Sequence, residues 1–276
     1  MAPLLLVLAV AGIVAAGCWI LSLITRDTSQ VDRMWSIAPP IYLWIFAGGA
    51  GFGDARVNLM AVLATVWGAR LTFNFARKGG YSGVEDYRWA VLRKAMNPWQ
   101  FQLFNLFFIV IYQNALLVMI TLPGLTALQH RAPLGPLDGA LAVLFVSALA
   151  GEALADQQQW EFHRRKREGA PGATADGFLR EGLFHYSRHP NYFFEISMWW
   201  LMFGFGAVAA ASLLQWSITG AVLLTVLFVG STIMTERISA SKYPRYADYQ
   251  TLTPAIVPWP PRTRPQEVAL PGASRR

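Results

Sequence analysis

The sequence predicts an all-α integral membrane bundle of seven transmembrane helices, with the N-terminus outside and the C-terminus cytoplasmic. Three observations carry that prediction. Hydrophobic residues make up 54% of the 276-residue chain and charged residues only 14%, which is too apolar for a soluble domain of this length. Apolar runs repeatedly reach the roughly 20 residues a helix needs to cross about 30 Å of hydrocarbon. Lys and Arg collect in alternate connections, as cytoplasmic loops do.

The runs are Leu4–Ile24, Met34–Phe52, Val57–Phe75, Phe101–Leu122, Leu137–Ala155, Tyr192–Ala211 and Leu213–Met234. Lipid offers backbone polar groups no partner, so each run is expected to be a helix. The first, up to Cys18, has small residues like a signal peptide. It lacks a basic leader and stays apolar to Ile24, which makes it a first span. Connections on one side hold twenty Lys and Arg residues, those on the other only Arg56 and Arg131, and Arg70 lies inside the third run. Residues 1–250 therefore read as one seven-helix domain. Residues 251–276, with Pro254, Pro258, Pro260, Pro261, Pro265 and Pro271, read as an extended, disordered tail.

A net charge of +7 would suggest nucleic acid in a soluble protein, but basic loops at a membrane surface already account for it. No nucleic-acid partner is expected, and the chain is expected to be a monomer among membrane lipids. Cys18 is the single cysteine, which excludes an intrachain disulfide and a cysteine metal cluster. No metal is expected.

Ionisable groups inside spans are costly and mark function by default. Arg70 and Asn74 share a face of the third run, with Lys78 one turn on. Glu152 and Asp156 end the fifth and continue to Trp160 and Arg164, Asn191 and Glu195 open the sixth, and Glu236 follows the seventh. Either these groups pair and lock the bundle, or they build one polar pocket near the cytoplasmic ends. Two long loops, Arg77–Gln100 and Trp160–Pro190, together with the C-terminal segment, are the expected lid of a cofactor pocket. The densest constellation is Gly182–Glu195, with His185, Tyr186, Arg188, His189, Pro190 and Asn191. Pro190 fits the first turn of a helix, whose free N–H groups favour phosphate, and Arg188 and His189 add donors beside it. No GxGxxG joins a strand to a helix, so a dinucleotide would be held by helices and loops.

The Gly182–Glu195 segment, Asp156 ahead of a basic stretch and the ending Lys242-Tyr243-Pro244-Arg245-Tyr246 together resemble the steroid 5α-reductase family. Its bacterial members are the closer likeness, through Val31–Trp35, Trp67–Leu71 and Glu85-Asp86-Tyr87-Arg88. The resemblance implies seven transmembrane helices in a multi-pass membrane protein, NADPH bound at the cytoplasmic side and a steroid or sterol-like lipid substrate. It implies reduction of the C4–C5 double bond of a 3-oxo-Δ4-steroid, with hydride delivered to C5, an acid at the 3-keto oxygen and C4 protonated afterwards. Asp156, Tyr186, Asn191, Glu195 and Tyr243 match the family's cofactor positions, accompanied by Arg180, Arg188 and His189. Asn74, Lys78, Trp160, Arg164 and Glu236 lie at the same depth and are grouped with them. Asp32 matches the family's carboxylate ahead of the second span. Trp67 stands where eukaryotic members carry tyrosine, near Arg70. Tyr87 is then the candidate proton donor, since an indole is no useful acid. The Arg-His-Pro-x-Tyr arrangement also resembles S-adenosylmethionine-dependent membrane methyltransferases acting on isoprenylcysteine or phospholipids, the competing reading.

Overall fold

The computed structural model describes residues 2–83, 85–169 and 175–262, and every regular element among them is helical. The long elements follow the apolar runs: α1 (Ala2–Thr25), then the short α2 (Gln30–Trp35) and α3 (Ala38–Gly49), then α4 (Ala55–Arg77). Asp54 starts α4 by accepting from the Val57 N–H at 3.0 Å. The amphipathic α5 (Tyr87–Ala95) leads into one long traverse. That traverse comprises α6 (Pro98–Phe104), a π-helical segment (Asn105–Tyr112), α7 (Gln113–Met119) and α8 (Leu122–Gln129). Then come α9 (Pro136–Arg167), a 3₁₀ turn (Gly182–His185), α10 (Pro190–Ala209), α11 (Ile218–Lys242) and the short α12 (Tyr246–Leu252).

Six stretches are long and apolar enough to cross a membrane: α1, α4, Pro98–Gln129, α9, α10 and α11. The chain is a multi-pass, all-α membrane protein, with six such helices among the described residues where seven are expected. The expected span at Met34–Phe52 is the one that differs. Pro39 and Pro40 supply no N–H, so the helix is interrupted at Ser36 and Ile37 and restarts at Ala38. What remains, α3, has 12 residues, about 18 Å of rise. Gly68 lets α4 lie against that break: a Cβ there would stand 2.4 Å from the Ser36 carbonyl oxygen.

Two further boundaries differ. α9 continues to Arg167, so Trp160 and Arg164 belong to a helix, not a loop. Its last turn carries Arg164, Arg165, Lys166 and Arg167, where the helix dipole favours cations. The expected tail starts later than residue 251. Thr251 and Leu252 close α12, and the 3₁₀ turn and its exit hold the chain beyond: the Arg188 and His189 N–H groups donate to the Pro254 and Ala255 carbonyls, and Trp259 N–H to Tyr186. Pro265, Pro271 and the final arginines lie outside the described residues.

Helices α1 and α3 run in opposite directions, and α4 and α9 in the same one. Gly49, ending α3, sits against Pro3, opening α1. The starts of α4 and α9 are joined by a buried pair in which Arg56 Nε and Nη2 donate to Asp138 at 2.7 and 2.8 Å. At the opposite end α4 and α9 meet again through Arg70 and Asp156. The core lies between α3, α4, α8, α9 and α10, around Trp67, Tyr42, Phe46, Phe145 and Phe205. Large apolar side chains such as Ile13, Phe73, Phe107, Val143 and Val226 are exposed, as expected where the solvent is lipid.

Small residues set the closest approaches. A Cβ on Gly220 would fall 2.3 Å from the Met119 carbonyl oxygen, whereas around Gly17 the space is open. Gly220→Ala is therefore expected to cost about 1–3 kcal/mol by forcing α11 off the α7–α8 junction. Melting in detergent, with Gly17→Ala as the variant that leaves the midpoint unchanged, checks this.

Candidate functional site

The loop after α4 is fixed to the end of α1 by acidic side chains. Glu85 accepts from the Thr28 N–H at 3.0 Å and its hydroxyl at 2.8 Å, and the Asp86 N–H donates to Ser29 Oγ at 3.0 Å. Burial works to raise the Glu85 carboxyl, but two bonds from Arg93, together with Thr28, outweigh it and hold the group below its ordinary value. Asp86 then caps α5 through the Arg88 N–H and grips the Arg88 guanidinium at 2.7 Å. Arg88 Nη1 reaches Ser231 on α11 at 2.6 Å. The next residue, Trp89, is buried and donates its indole N–H to Asp32 Oδ2 at 3.1 Å.

These groups close one end of a cavity of about 640 Å³ between α2, α4, α5, the π-helical traverse and α11. Asp32, Asp86, Arg88 and Ser231 line it, and its walls are largely aromatic, including Trp35, Phe75, Tyr192 and Phe228. One wall is a column of rings. Trp89 lies 6.2 Å from Phe104, Phe104 stacks on Phe108 at 4.9 Å, and Phe108 stacks on Tyr112 at 5.4 Å. The π-helical turn brings these rings, four residues apart, into one stack. Burial, followed by the nearby Asp86 charge, pushes the Asp32 carboxyl above its ordinary value, against the opposing effects of Arg88 and the Trp89 bond.

Between α4, α9 and α10 lies a second polar group. Arg70 Nη1 is 2.5 Å from Asp156, Nη2 is 2.8 Å from Glu152, and Glu195 is 3.7 Å away. The Glu152 contact is out of line for a hydrogen bond, which leaves Arg70 Nε and Nη2 and Glu152 Oε2 without partners of that kind. Glu195 accepts from the Trp67 indole at 2.8 Å and the Trp199 indole at 3.0 Å. Lys78 stands 3.9 Å from Asp156, and Asn74 accepts from Arg77 Nε at 2.9 Å. Trp160 lies beneath the guanidinium groups of Arg77 and Arg167. Asn191, half-buried on the first turn of α10, makes no side-chain hydrogen bond among the described residues.

A third group fastens the Gly182–His189 stretch to the C-terminal segment. Glu236 accepts from Arg188 Nε at 2.6 Å and Nη2 at 2.9 Å, lies 3.2 Å from His189 Nε2, and accepts from Gln250 at 2.9 Å. Arg188 Nη1 turns to the Gln250 and Thr253 carbonyls. The donors expected to meet phosphate at Arg188 and His189 are thus engaged internally, and Glu236 is their partner.

Of the residues expected to act chemically, Asp32 lines the cavity, while Trp67 and Arg70 face the carboxylates gathered between α4, α9 and α10. Tyr87 does not line it and is 53% exposed. Its neighbours Asp86, Arg88 and Trp89 supply the cavity wall that Tyr87 does not. Tyr186 is exposed, Arg164 pairs with Glu168 at 3.7 Å, and Arg180 pairs with Asp176 at 2.9 Å, where Arg245 also binds. Burial works to raise the Tyr243 phenol, but the bond it accepts from Lys166 at 3.1 Å outweighs this and holds it below the ordinary value. Sequence reasoning missed Tyr192, which stacks on His189 at 5.1 Å and lines the cavity. It also missed the Phe104, Phe108 and Tyr112 column, whose spacing of four was legible but reads as ordinary span packing.

Residues 18–253 match the family described as protein of unknown function, DUF1295, a family related to steroid 5α-reductase. An uncharacterized protein of the fission yeast Schizosaccharomyces pombe is 39% identical over 250 residues, covering 84% of this chain and 73% of that protein. No solved structure matches the chain.

Proposed function

The chain belongs to the DUF1295 family, and from that premise we propose that it is an NADPH-dependent membrane reductase acting on the conjugated C=C bond of a steroid-like enone, as in a 3-oxo-Δ4-steroid. The observation that carries this reading is the apolar, aromatic cavity closed at its polar end by the half-buried Asp32 carboxyl. A carboxyl raised by burial keeps its proton to higher pH, and in that form it can donate to a carbonyl oxygen. There it stabilises the negative charge that develops as the conjugated bond is reduced. Trp89 holds one Asp32 oxygen at 3.1 Å, which orients the acid, and the ring column excludes water.

The polar residues around α4, α9 and α10 fit a dinucleotide. Asn191 has an uncommitted amide, and the side chains of Lys78 and Arg164 are 39% and 55% exposed. These residues, with the exposed Tyr186, would hold it. When bound, NADPH supplies a hydride. In the membrane we read the stretch from Met34 through α3 as a crossing made in two pieces, giving seven in all, with Asp32 just ahead of it and the basic loops and the cavity's polar end cytoplasmic.

The test is NADPH oxidation by detergent-purified protein with progesterone added, beside thermal stabilisation by NADPH and by S-adenosylmethionine. Steroid-dependent oxidation is expected. Stabilisation by S-adenosylmethionine alone, with no oxidation, would replace the reductase by a methyltransferase.

A further inference from the structure

The cavity has a second polar feature at the opposite end of its ring column. Gln113, the first residue of α7, is 4% exposed, lines the cavity and makes no side-chain hydrogen bond among the described residues. Its amide atoms are not enclosed by the protein but open onto the cavity, where a ligand that displaced water without offering a hydrogen bond would leave them unpaired. Its neighbours do not answer it. Tyr112 donates to the Leu223 carbonyl at 3.3 Å, and Asn114 to the Val110 carbonyl at 2.8 Å, each turned to the backbone. The amide therefore faces the cavity's interior with donor and acceptor both available.

The two polar ends are separated by a defined span. Trp89, which holds Asp32, packs at the level of Phe104. Gln113 lies nine residues further along the same traverse, at most about 13 Å of helical rise. Phe108 and Tyr112 fill the interval with stacked rings. A ligand matched to this shape is rigid, flat and apolar through its length, with a hydrogen-bonding oxygen at each end.

We infer that Gln113 is a specificity-determining residue that recognises a second oxygen, carbonyl or hydroxyl, at the end of the lipid remote from Asp32. The inference rests on the reductase reading and names its substrate class: elongated lipids oxygenated at both ends, preferred over analogues lacking the distal oxygen. Gln113 touches no reacting atom in this scheme, so it acts on affinity and not on the chemical step.

The experiment compares androst-4-ene-3,17-dione with androst-4-en-3-one, which differ only in the distal oxygen. Binding to the full-length protein in detergent is followed by quenching of tryptophan fluorescence, since Trp35 and Trp89 line the cavity. The unmodified protein is expected to bind the dione about three- to tenfold more tightly, the worth of one neutral hydrogen bond. Gln113→Met, close in shape and apolar, is expected to abolish that preference, keep the affinity for the mono-ketone and raise KM for the dione without lowering kcat. Gln113→Leu is the second variant if Gln113→Met does not fold. Equal binding of both steroids by the unmodified protein, or a preference that survives the substitution, overturns the inference and leaves the reductase reading intact. Binding of neither steroid overturns both.

Discussion

Asp32→Ala is expected to lower kcat for enone reduction by about 10²- to 10⁴-fold, the range for removing a general acid or an oxyanion donor. Affinity for the steroid should change far less, because the aromatic walls remain. The carboxyl lies at the polar end of the cavity, bonded to Trp89 and near Asp86. Burial raises it above its ordinary value, and only the protonated form can donate. Activity should then fall as pH rises through that raised value. Asp32→Asn keeps a donor but has no titrating proton, so it should retain part of the rate and lose this limb of the pH profile. The stability linkage has the same sign. A carboxyl raised in the folded state contributes stability that is present below its unfolded value and is lost as pH rises through the folded one. Full activity in Asp32→Ala, or an unchanged pH limb in Asp32→Asn, would remove Asp32 from the chemistry.

Arg70→Ala should have the largest effect on stability. The guanidinium is within 2.8 Å of Asp156 and Glu152 and 3.7 Å from Glu195, all buried between α4, α9 and α10. Removing it leaves three carboxylates gathered around an empty position, with Lys78 at 3.9 Å from Asp156 as a cation close by. Breaking such a buried pair costs about 3–5 kcal/mol, chiefly because the charges left behind have lost their solvation. Arg70→Lys should rescue little, since one ammonium cannot span the contacts that a planar fork makes. Glu152→Gln in the Arg70→Ala background should recover part of the loss by removing one orphaned charge. Melting in detergent measures all three. A midpoint unmoved by Arg70→Ala would mean that the carboxylates are solvated or partnered in some other way.

The membrane class and most helix positions were legible because lipid imposes one rule on every apolar run. The exceptions have local causes. Pro39 and Pro40 sit inside an apolar run that hydropathy alone treats as continuous, and their missing donors break it. α9 outruns its apolar stretch because Arg70 and Arg77 partner its polar face from α4. Polar residues of the candidate site were legible as buried charges, but their grouping was not. Arg188 and Glu236 stand 48 residues apart, and only the fold turns two expected ligand contacts into one internal pair. Tyr87 was chosen from a motif in which its neighbours face the cavity and it does not. Gln113 carries no charge and has a polar neighbour on either side, so nothing in the sequence distinguishes it.

The π-helical turn also constrains how this chain can change in length. Each residue of an α-helix rotates the next by about 100°. A deletion within Asn105–Tyr112 would be absorbed as the wider π turn tightened to α geometry, whereas deleting one residue from α6 would swing everything after it by roughly that angle. Gln113 would leave the cavity wall, and the backbone at Met119 that receives Gly220 would turn with it. A substitution along this traverse changes one side chain in place. A single deletion in α6 would act at both ends at once, turning the Gln113 amide away from the ligand and opening the seam where α11 seats.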